Sequence, residues 1–395
     1  MITDKILAEQ ISLSGKSGYW SVGSFYFFDK TECLQFASAM GKQNNIKFHL
    51  YDASYESIDW TSDCAQSMDQ QYIERAKKIR ETYEYVTVSF SGGADSTNIL
   101  DTFFRNNLKV DEVICYYPLT VIEKLSHQFN PSDKGADNLI FEYVMACEPM
   151  LKLIAKNHPE TKITVLDYTT ESIETVSNAN THILSMNGQS ISPVFAGQRA
   201  VIRRLRDISE KIKNVCCIVG AEKPKMLYRP STGKFATYFI DFAYNFGKNK
   251  VDGYLPTIEH FYHSADFPGI LHAQVTALKK ALQPIFSDLE NPLRKDLTLK
   301  VTPFGDLIID NESDFFKKII YKNFNSSIWQ VKKTTSLFYQ SNCSWIHSNL
   351  VERRLHDVYD GQLKEYLSGV HPSLVIYENN KPSKFKEVFS TMYWL

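Results

Sequence analysis

One junction constrains this chain more than any other feature. A short β-rich run, Tyr85-Val86-Thr87-Val88-Ser89-Phe90, leads directly into Ser91-Gly92-Gly93-Ala94-Asp95-Ser96. A helical stretch from Ser96 to Leu108 follows, with Ile99, Leu100, Phe103, Phe104 and Leu108 on one side. A strand, a glycine loop and a helix N-terminus in this order make an anion site. The glycines let the backbone approach a phosphate closely, and the loop N–H groups and the helix dipole both face negative charge. Ser91 and Ser96 add hydroxyl donors. Asp95 by itself would repel a phosphate, so its presence implies a bridging cation. Mg²⁺ held by one carboxylate and by phosphate oxygens resolves that conflict. The alternative is a glycine turn that merely joins a strand to a helix. This is not a Walker loop: in the nearest approach, Gly15-Lys16-Ser17, Gln10 stands where the first glycine belongs.

The surrounding sequence repeats the alternation of short apolar runs and helical stretches. Asp111–Tyr117 (DEVICYY), Lys162–Asp167 (KITVLD) and Asn214–Val219 (NVCCIV) read as strands. Helices are expected at about 138–154, broken near Pro149, and at 197–213, with Val201, Ile202, Leu205, Ile208 and Ile212 apolar. A βαβαβαβ series implies a doubly wound parallel sheet with helices on both faces. Residues 1–84 read as a small α/β segment, with strands in Gly23–Phe28 and Ile46–Tyr51. Ser67 and Gln70 form a capping box for a helix carrying Tyr72, Ile73, Ala76, Ile79 and Tyr83. Residues 230–395 read as a mostly helical region with some strand. Helices are expected over Ile270–Leu282, Asp314–Tyr321 and Val351–Leu367.

Composition narrows the class. The 395 residues suffice for roughly two or three domains. A hydrophobic share of 43% and a charged share of 23% exclude disordered and collagen-like chains. Net charge is −1, which argues against an extended nucleic-acid surface. No stretch approaches eighteen consecutive apolar residues, so no membrane span is expected, and Met1-Ile2-Thr3-Asp4-Lys5 does not open a signal peptide. The seven cysteines are scattered with no C-x-x-C pair, which disfavours a zinc ribbon and fits reduced thiols in a cytoplasmic protein.

S-G-G-x-D-S after a strand resembles the PP-loop of the N-type ATP pyrophosphatases, such as asparagine synthetase, NAD synthetase, GMP synthase and the 7-cyano-7-deazaguanine synthases. The resemblance covers residues 85–225 or so and implies a HUP-like sheet of strand order 3-2-1-4. It implies that ATP is cleaved to AMP and pyrophosphate, that a substrate oxygen is adenylylated, and that ammonia or an amine then displaces AMP. Ser89, Ser91, Gly92, Gly93, Ala94, Asp95, Ser96 and Gly220 would bind the phosphates. Asp95 and Glu222 would hold Mg²⁺. Adenine would lie beside the end of the second strand, read by main-chain groups of Cys115, Tyr116 and Tyr117, with a tyrosine ring either stacked on the base or simply part of the core. Strands one and four flank the point where strand order reverses, so the Gly220-Ala221-Glu222-Lys223-Pro224-Lys225 loop should face the SGGADS loop. Lys223 and Lys225 there would neutralise the leaving pyrophosphate. The family's G-E-G-x-D-E run is absent from this loop, and a solvated charged loop is the plainer reading.

The resemblance also excludes. Asparagine synthetase and its relatives carry a glutaminase whose cysteine directly follows the initiator Met, and Ile2 stands there. Nitrogen would come from free ammonia, an amine substrate or a separate glutaminase. The cysteine zinc cluster of the deazaguanine synthases and the paired cysteines of the tRNA thiolases are missing from the sequence pattern. A PAPS-reductase-like sulfur enzyme would need a C-terminal cysteine, and Cys343 is the last. A nucleotide-binding regulatory module without turnover is the alternative of a different class. Weaker features are His260 and His263 as a metal pair or amine base, Arg203, Arg204 and Arg206 as a solvated face or a site for an acidic partner, and Trp329–Lys333 as a phosphate-closing segment.

Overall fold

The computed structural model describes residues 1–14, 16–117, 119, 120, 123, 142–169, 194–220, 223–241, 253–288, 291–310, 313–324, 367, 369–378 and 381–395. The N-terminal portion holds helix α1 (Lys5–Ser14), strands β1 (Tyr19–Val22) and β2 (Phe25–Phe27), helix α2 (Lys30–Ala39), strand β3 (Ile46–His49), helix α3 (Asp52–Glu56) and helix α4 (Met68–Thr82). Its three strands form an antiparallel sheet of order β2-β1-β3. The capping box at α4 is formed: the Ser67 hydroxyl accepts from the Gln70 N–H, and Gln70 Oε1 accepts from the Ser67 N–H at 2.9 Å.

Next come strand β4 (Tyr85–Ser89), helix α5 (Ala94–Arg105), strand β5 (Glu112–Tyr117), a π-turn (Glu142–Cys147), helix α6 (Glu148–Asn157), strand β6 (Lys162–Asp167), helix α7 (Val194–Ser209) and strand β7 (Val215–Val219). The remaining elements are strands β8 (Lys225–Arg229), β9 (Lys234–Tyr238) and β10 (Ile258–His260), helix α8 (Pro268–Ser287), strands β11 (Leu299–Val301) and β12 (Leu307–Ile309), helix α9 (Asp314–Ile320), and strands β13 (Val375–Glu378), β14 (Lys381–Phe385) and β15 (Tyr393–Trp394).

The parallel sheet has the order β10-β7-β4-β5-β6. Its first four strands in the chain therefore stand 3-2-1-4, and β10 adds a fifth at the edge. Alternation along each strand sends side chains to two covered faces. On one face Val201, Leu205 and Ile208 of α7 pack on Ile114, Val215, Cys217, Val219 and Ile258. On the other, α4, α5, α6 and α8 cover Val86, Val88, Val113, Cys115, Cys216 and Ile218. β7 is buried along its whole length, as a doubly covered strand must be. The larger of these cores continues through Trp20, Phe48 and Tyr51 of the N-terminal portion. A second five-stranded sheet has the order β11-β12-β8-β9-β15, all antiparallel.

Several boundaries differ from the sequence reading for identifiable reasons. α5 begins at Ala94 because Gly93 takes its N-cap, and it ends at Arg105 because Asn107 turns left-handed, with φ 54°. Pro149 starts α6 instead of breaking a longer helix, which suits a residue whose missing N–H costs nothing in a first turn. Beyond residue 229 the described residues hold seven short strands, β9 to β15, beside helices α8 and α9, so strand has a larger part here than the sequence reading gives it. These strands are two to five residues long, below the length at which periodicity can be read. All but one residue of the helix expected over Val351–Leu367 lies outside the described residues, as do Trp329–Lys333, Cys343 and Glu222.

Buried charges stitch distant segments together. The Glu259 carboxylate, at the edge of the parallel sheet, takes Arg75 of α4 at 2.6 Å, together with Lys16 and the Tyr83 hydroxyl. Burial works against its charge, but Arg75 and Lys16 outweigh that and hold it below the usual carboxylate range. Asp241 is fully buried and pairs with the equally buried Lys30 at 2.9 Å.

Candidate functional site

The loop between β4 and α5 sits at the point where strand order reverses, with β5 and β6 on one side and β7 and β10 on the other. Gly92 has φ +72°, a left-handed conformation that disfavours any side chain. A Cβ there would also stand 2.9 Å from the Cys147 nitrogen, so the π-turn packs directly on the loop. Gly93 adopts an extended conformation and caps α5 without a side-chain bond. Ala94 is the first helical residue. Inside the loop, Ser96 Oγ donates to the Gly93 carbonyl at 3.2 Å and accepts from the Ser91 N–H at 3.4 Å; Ser91 Oγ accepts from the Gly93 N–H at 3.4 Å. These are long bonds. Ser89 remains within β4, opposite Ile114 of β5.

The loop that follows β7 faces this one. Lys223 Nζ donates to both Asp95 oxygens, at 3.1 and 3.3 Å. Gly220 makes the approach possible, since a Cβ on it would stand 3.0 Å from the Asp95 Cβ. The two turns expected to face each other, on the strand order that the resemblance implies, are thus in direct contact through Lys223, Gly220 and Asp95. Lys225 differs: it opens β8, pairs with Tyr238 of β9 and belongs to the antiparallel sheet.

Three groups on Asp95 and its neighbourhood escaped the sequence reading. The Tyr321 hydroxyl donates to Asp95 Oδ1, and the Tyr262 hydroxyl donates to the Asp95 carbonyl at 2.7 Å. Asn98 Nδ2 donates to Tyr262 at 3.1 Å. Burial and the nearby Asp95 charge push both phenols well above their ordinary value, so they remain donors. Tyr262 lies two residues past β10, which the topology brings beside β7; recognising β10 as a fifth parallel strand was the available signal. Tyr321 lies 226 residues from Asp95, and no local pattern announces it.

The residues expected beside adenine have their side chains committed elsewhere. Cys115 is buried with its Sγ 3.7 Å from that of Cys147. The Cys147 contact and burial push its thiol far above the ordinary value, so it is not a nucleophilic thiolate. Tyr116 turns to the α7 face, where its ring lies against Gly197 and Tyr168. Tyr117 donates its hydroxyl to the Ser91 carbonyl at 2.9 Å and packs its ring against Tyr143 at 5.0 Å, which supports the loop from below.

The weaker features resolve into structure. His260 ends a strand, and its ring stacks on that of His263 at 4.5 Å. Burial drives His260 down to about 4, so it is a neutral core ring at physiological pH. Among the described residues no group of three or more His, Cys, Asp or Glu could hold a metal ion. Arg204 clamps Glu112 through two bonds, 2.9 and 2.8 Å long, so its acidic partner lies within the chain. A separate buried network, Ser21 Oγ to His49 Nε2 at 2.8 Å and His49 Nδ1 to Asp52 at 2.7 Å, lies where Tyr19 stacks on the His49 ring. Among the described residues no helix is long and apolar enough to cross a membrane.

No family model matches the chain, and no curated protein matches it.

Proposed function

We propose that the chain is an ATP-dependent adenylylating enzyme with a HUP-like sheet, of the N-type ATP pyrophosphatase kind, and that the SGGADS loop receives the β- and γ-phosphates. One observation carries the reading: the glycine loop lies at the topological switch point of a parallel sheet, and a lysine from the opposite strand end reaches its aspartate. The residues suit magnesium–ATP. Asp95 offers a carboxylate at the helix N-terminus for Mg²⁺, the loop supplies N–H groups for phosphate oxygens, and Lys223 offers a cation to the departing pyrophosphate. Bound ATP supplies the electrophilic α-phosphorus and the leaving group. The chain's part is to hold the phosphates, orient Asp95 through Tyr321 and Tyr262, and place charge where pyrophosphate forms. The activated group is a carboxylate or amide-like oxygen, and the nitrogen comes from ammonia, an amine or a separate glutaminase.

The experiment is release of pyrophosphate from ATP and Mg²⁺ across a panel of carboxylates with ammonium present. Release by the wild type and its loss in Asp95→Ala are expected; full activity in that variant overturns the assignment. A regulatory nucleotide-binding module without turnover is the second reading. It is favoured by one feature, that Asp95 is already engaged by Lys223 and Tyr321. It predicts ATP binding with no pyrophosphate under any condition of the panel.

A further inference from the structure

We infer that the activated carboxylate is carried on an apolar body, and that this body lies in the cavity between α5 and α6. The inference rests on the adenylylation reading and names its substrate class.

The cavity measures about 440 Å³, within the roughly 300–1,000 Å³ of ligand pockets. Ala94 and Phe104 of α5, Met150 and Leu153 of α6, and Tyr321 and Phe324 line it. One end lies beside the phosphate loop: Ala94 directly precedes Asp95, and Tyr321, whose hydroxyl holds Asp95, is a lining residue. Towards the other end lies Phe104, whose ring is stacked on His158 at 3.7 Å. From Ala94 to Phe104 the helix rises about 15 Å at ~1.5 Å per residue, enough for a medium-chain acyl or arylalkyl body.

The lining also holds polar groups, Thr97, Asn98 and Asn157 among them, but it selects against a charged guest. Its charged rim groups are already neutralised by one another: the Asp101 carboxylate accepts from Arg105 Nε at 2.7 Å and from Asn323 at 2.8 Å. A second Arg105 nitrogen lies 3.5 Å from Asp69. A charged body such as that of aspartate would enter without a free counter-charge from these groups. An apolar one would cover Leu153, which is 49% exposed, and gain about 0.8 kcal/mol for each buried methylene. In the step so placed, a carboxylate oxygen attacks the α-phosphorus of ATP. The bond from that phosphorus to the bridging oxygen breaks, and pyrophosphate leaves with the electron pair, giving an acyl adenylate.

Octanoate, 4-phenylbutyrate and aspartate are the probes, used on the full chain with Mg²⁺. Binding is measured calorimetrically with a non-hydrolysable ATP analogue, and turnover as acid-dependent exchange of labelled pyrophosphate into ATP. Both apolar acids should bind and drive exchange, and aspartate should do neither. Leu153→Arg places a cation in the cavity from a partly exposed position. It should weaken the apolar acids at least tenfold and leave the affinity for the ATP analogue unchanged. If the analogue binds but neither apolar acid does, or if aspartate alone drives exchange, or if Leu153→Arg leaves acid affinity intact, the inference fails by itself. Failure of the analogue to bind falls on the adenylylation reading and takes the inference with it.

Discussion

Lys223 Nζ bridges the two carboxylate oxygens of Asp95 across 128 residues of chain, and the lysine side chain is only 3% exposed. The pair is lopsided, because Asp95 keeps 24% of its side chain in solvent. Removing the carboxylate strands a buried ammonium, whereas removing the lysine leaves a carboxylate that water and Tyr321 still serve. Asp95→Ala is therefore expected to cost about 3 kcal/mol of stability, and Lys223→Met clearly less. Urea denaturation midpoints measure both. Equal losses would contradict this account of the pair.

Gly92→Ala combines a left-handed backbone with a Cβ placed 2.9 Å from the Cys147 nitrogen and 3.0 Å from its Cα. The conformational part alone costs about 1–2 kcal/mol, and the contact forces the π-turn to shift. A loss of at least that size in chemical denaturation is expected. No measurable change would mean that the loop does not hold this geometry.

Stability should fall on the acid side through His260. Burial lowers its pKa from 6.5 to about 4 in the folded chain. Between those values the unfolded chain binds a proton and the folded chain does not, so stability is full above pH 6.5 and declines as pH drops toward 4. The decline amounts to about 3 kcal/mol at ~1.4 kcal/mol per pH unit. In His260→Gln the slope of stability against pH over that window should flatten. An unchanged slope would assign the acid sensitivity to other groups.

Asp241 joins three parts of the chain. It accepts from Lys30 at 2.9 Å, from Trp20 Nε1 at 2.8 Å and from the Val388 N–H at 3.0 Å. Asp241→Ala leaves a buried lysine without its carboxylate and should cost about 3–5 kcal/mol. Adding Lys30→Met removes the stranded charge, so the double variant should be more stable than Asp241→Ala alone. Thermal unfolding of the wild type and both variants tests the ordering.

What the sequence reveals and what it hides follow from range. The SGGADS junction, the KITVLD strand and the Ser67 cap are local, and their residues carry the pattern within six positions. The facing of Gly220 and Lys223 toward Asp95 followed from the strand order that the resemblance implies, combined with the switch-point rule for open sheets. The antiparallel sheet stayed hidden because its pairs are remote: Tyr228 of β8 meets Leu307, and Thr237 of β9 meets Tyr393. Lys30 gives no sign in the sequence that it is buried. Tyr117 read equally well as an adenine platform or as core, and only packing assigns its ring to Tyr143.

The central claim is that the SGGADS loop and Lys223 form one pocket for a triphosphate. Calorimetric titration of the wild type, Gly92→Ala and Lys223→Met with ATP and Mg²⁺ tests it most directly. Binding by the wild type is expected. The loss in Lys223→Met should be about 10- to 100-fold, the worth of a charge-assisted bond of ~1.5–3 kcal/mol, with a comparable loss in Gly92→Ala. Absence of wild-type binding, or equal affinity in all three proteins, would contradict it.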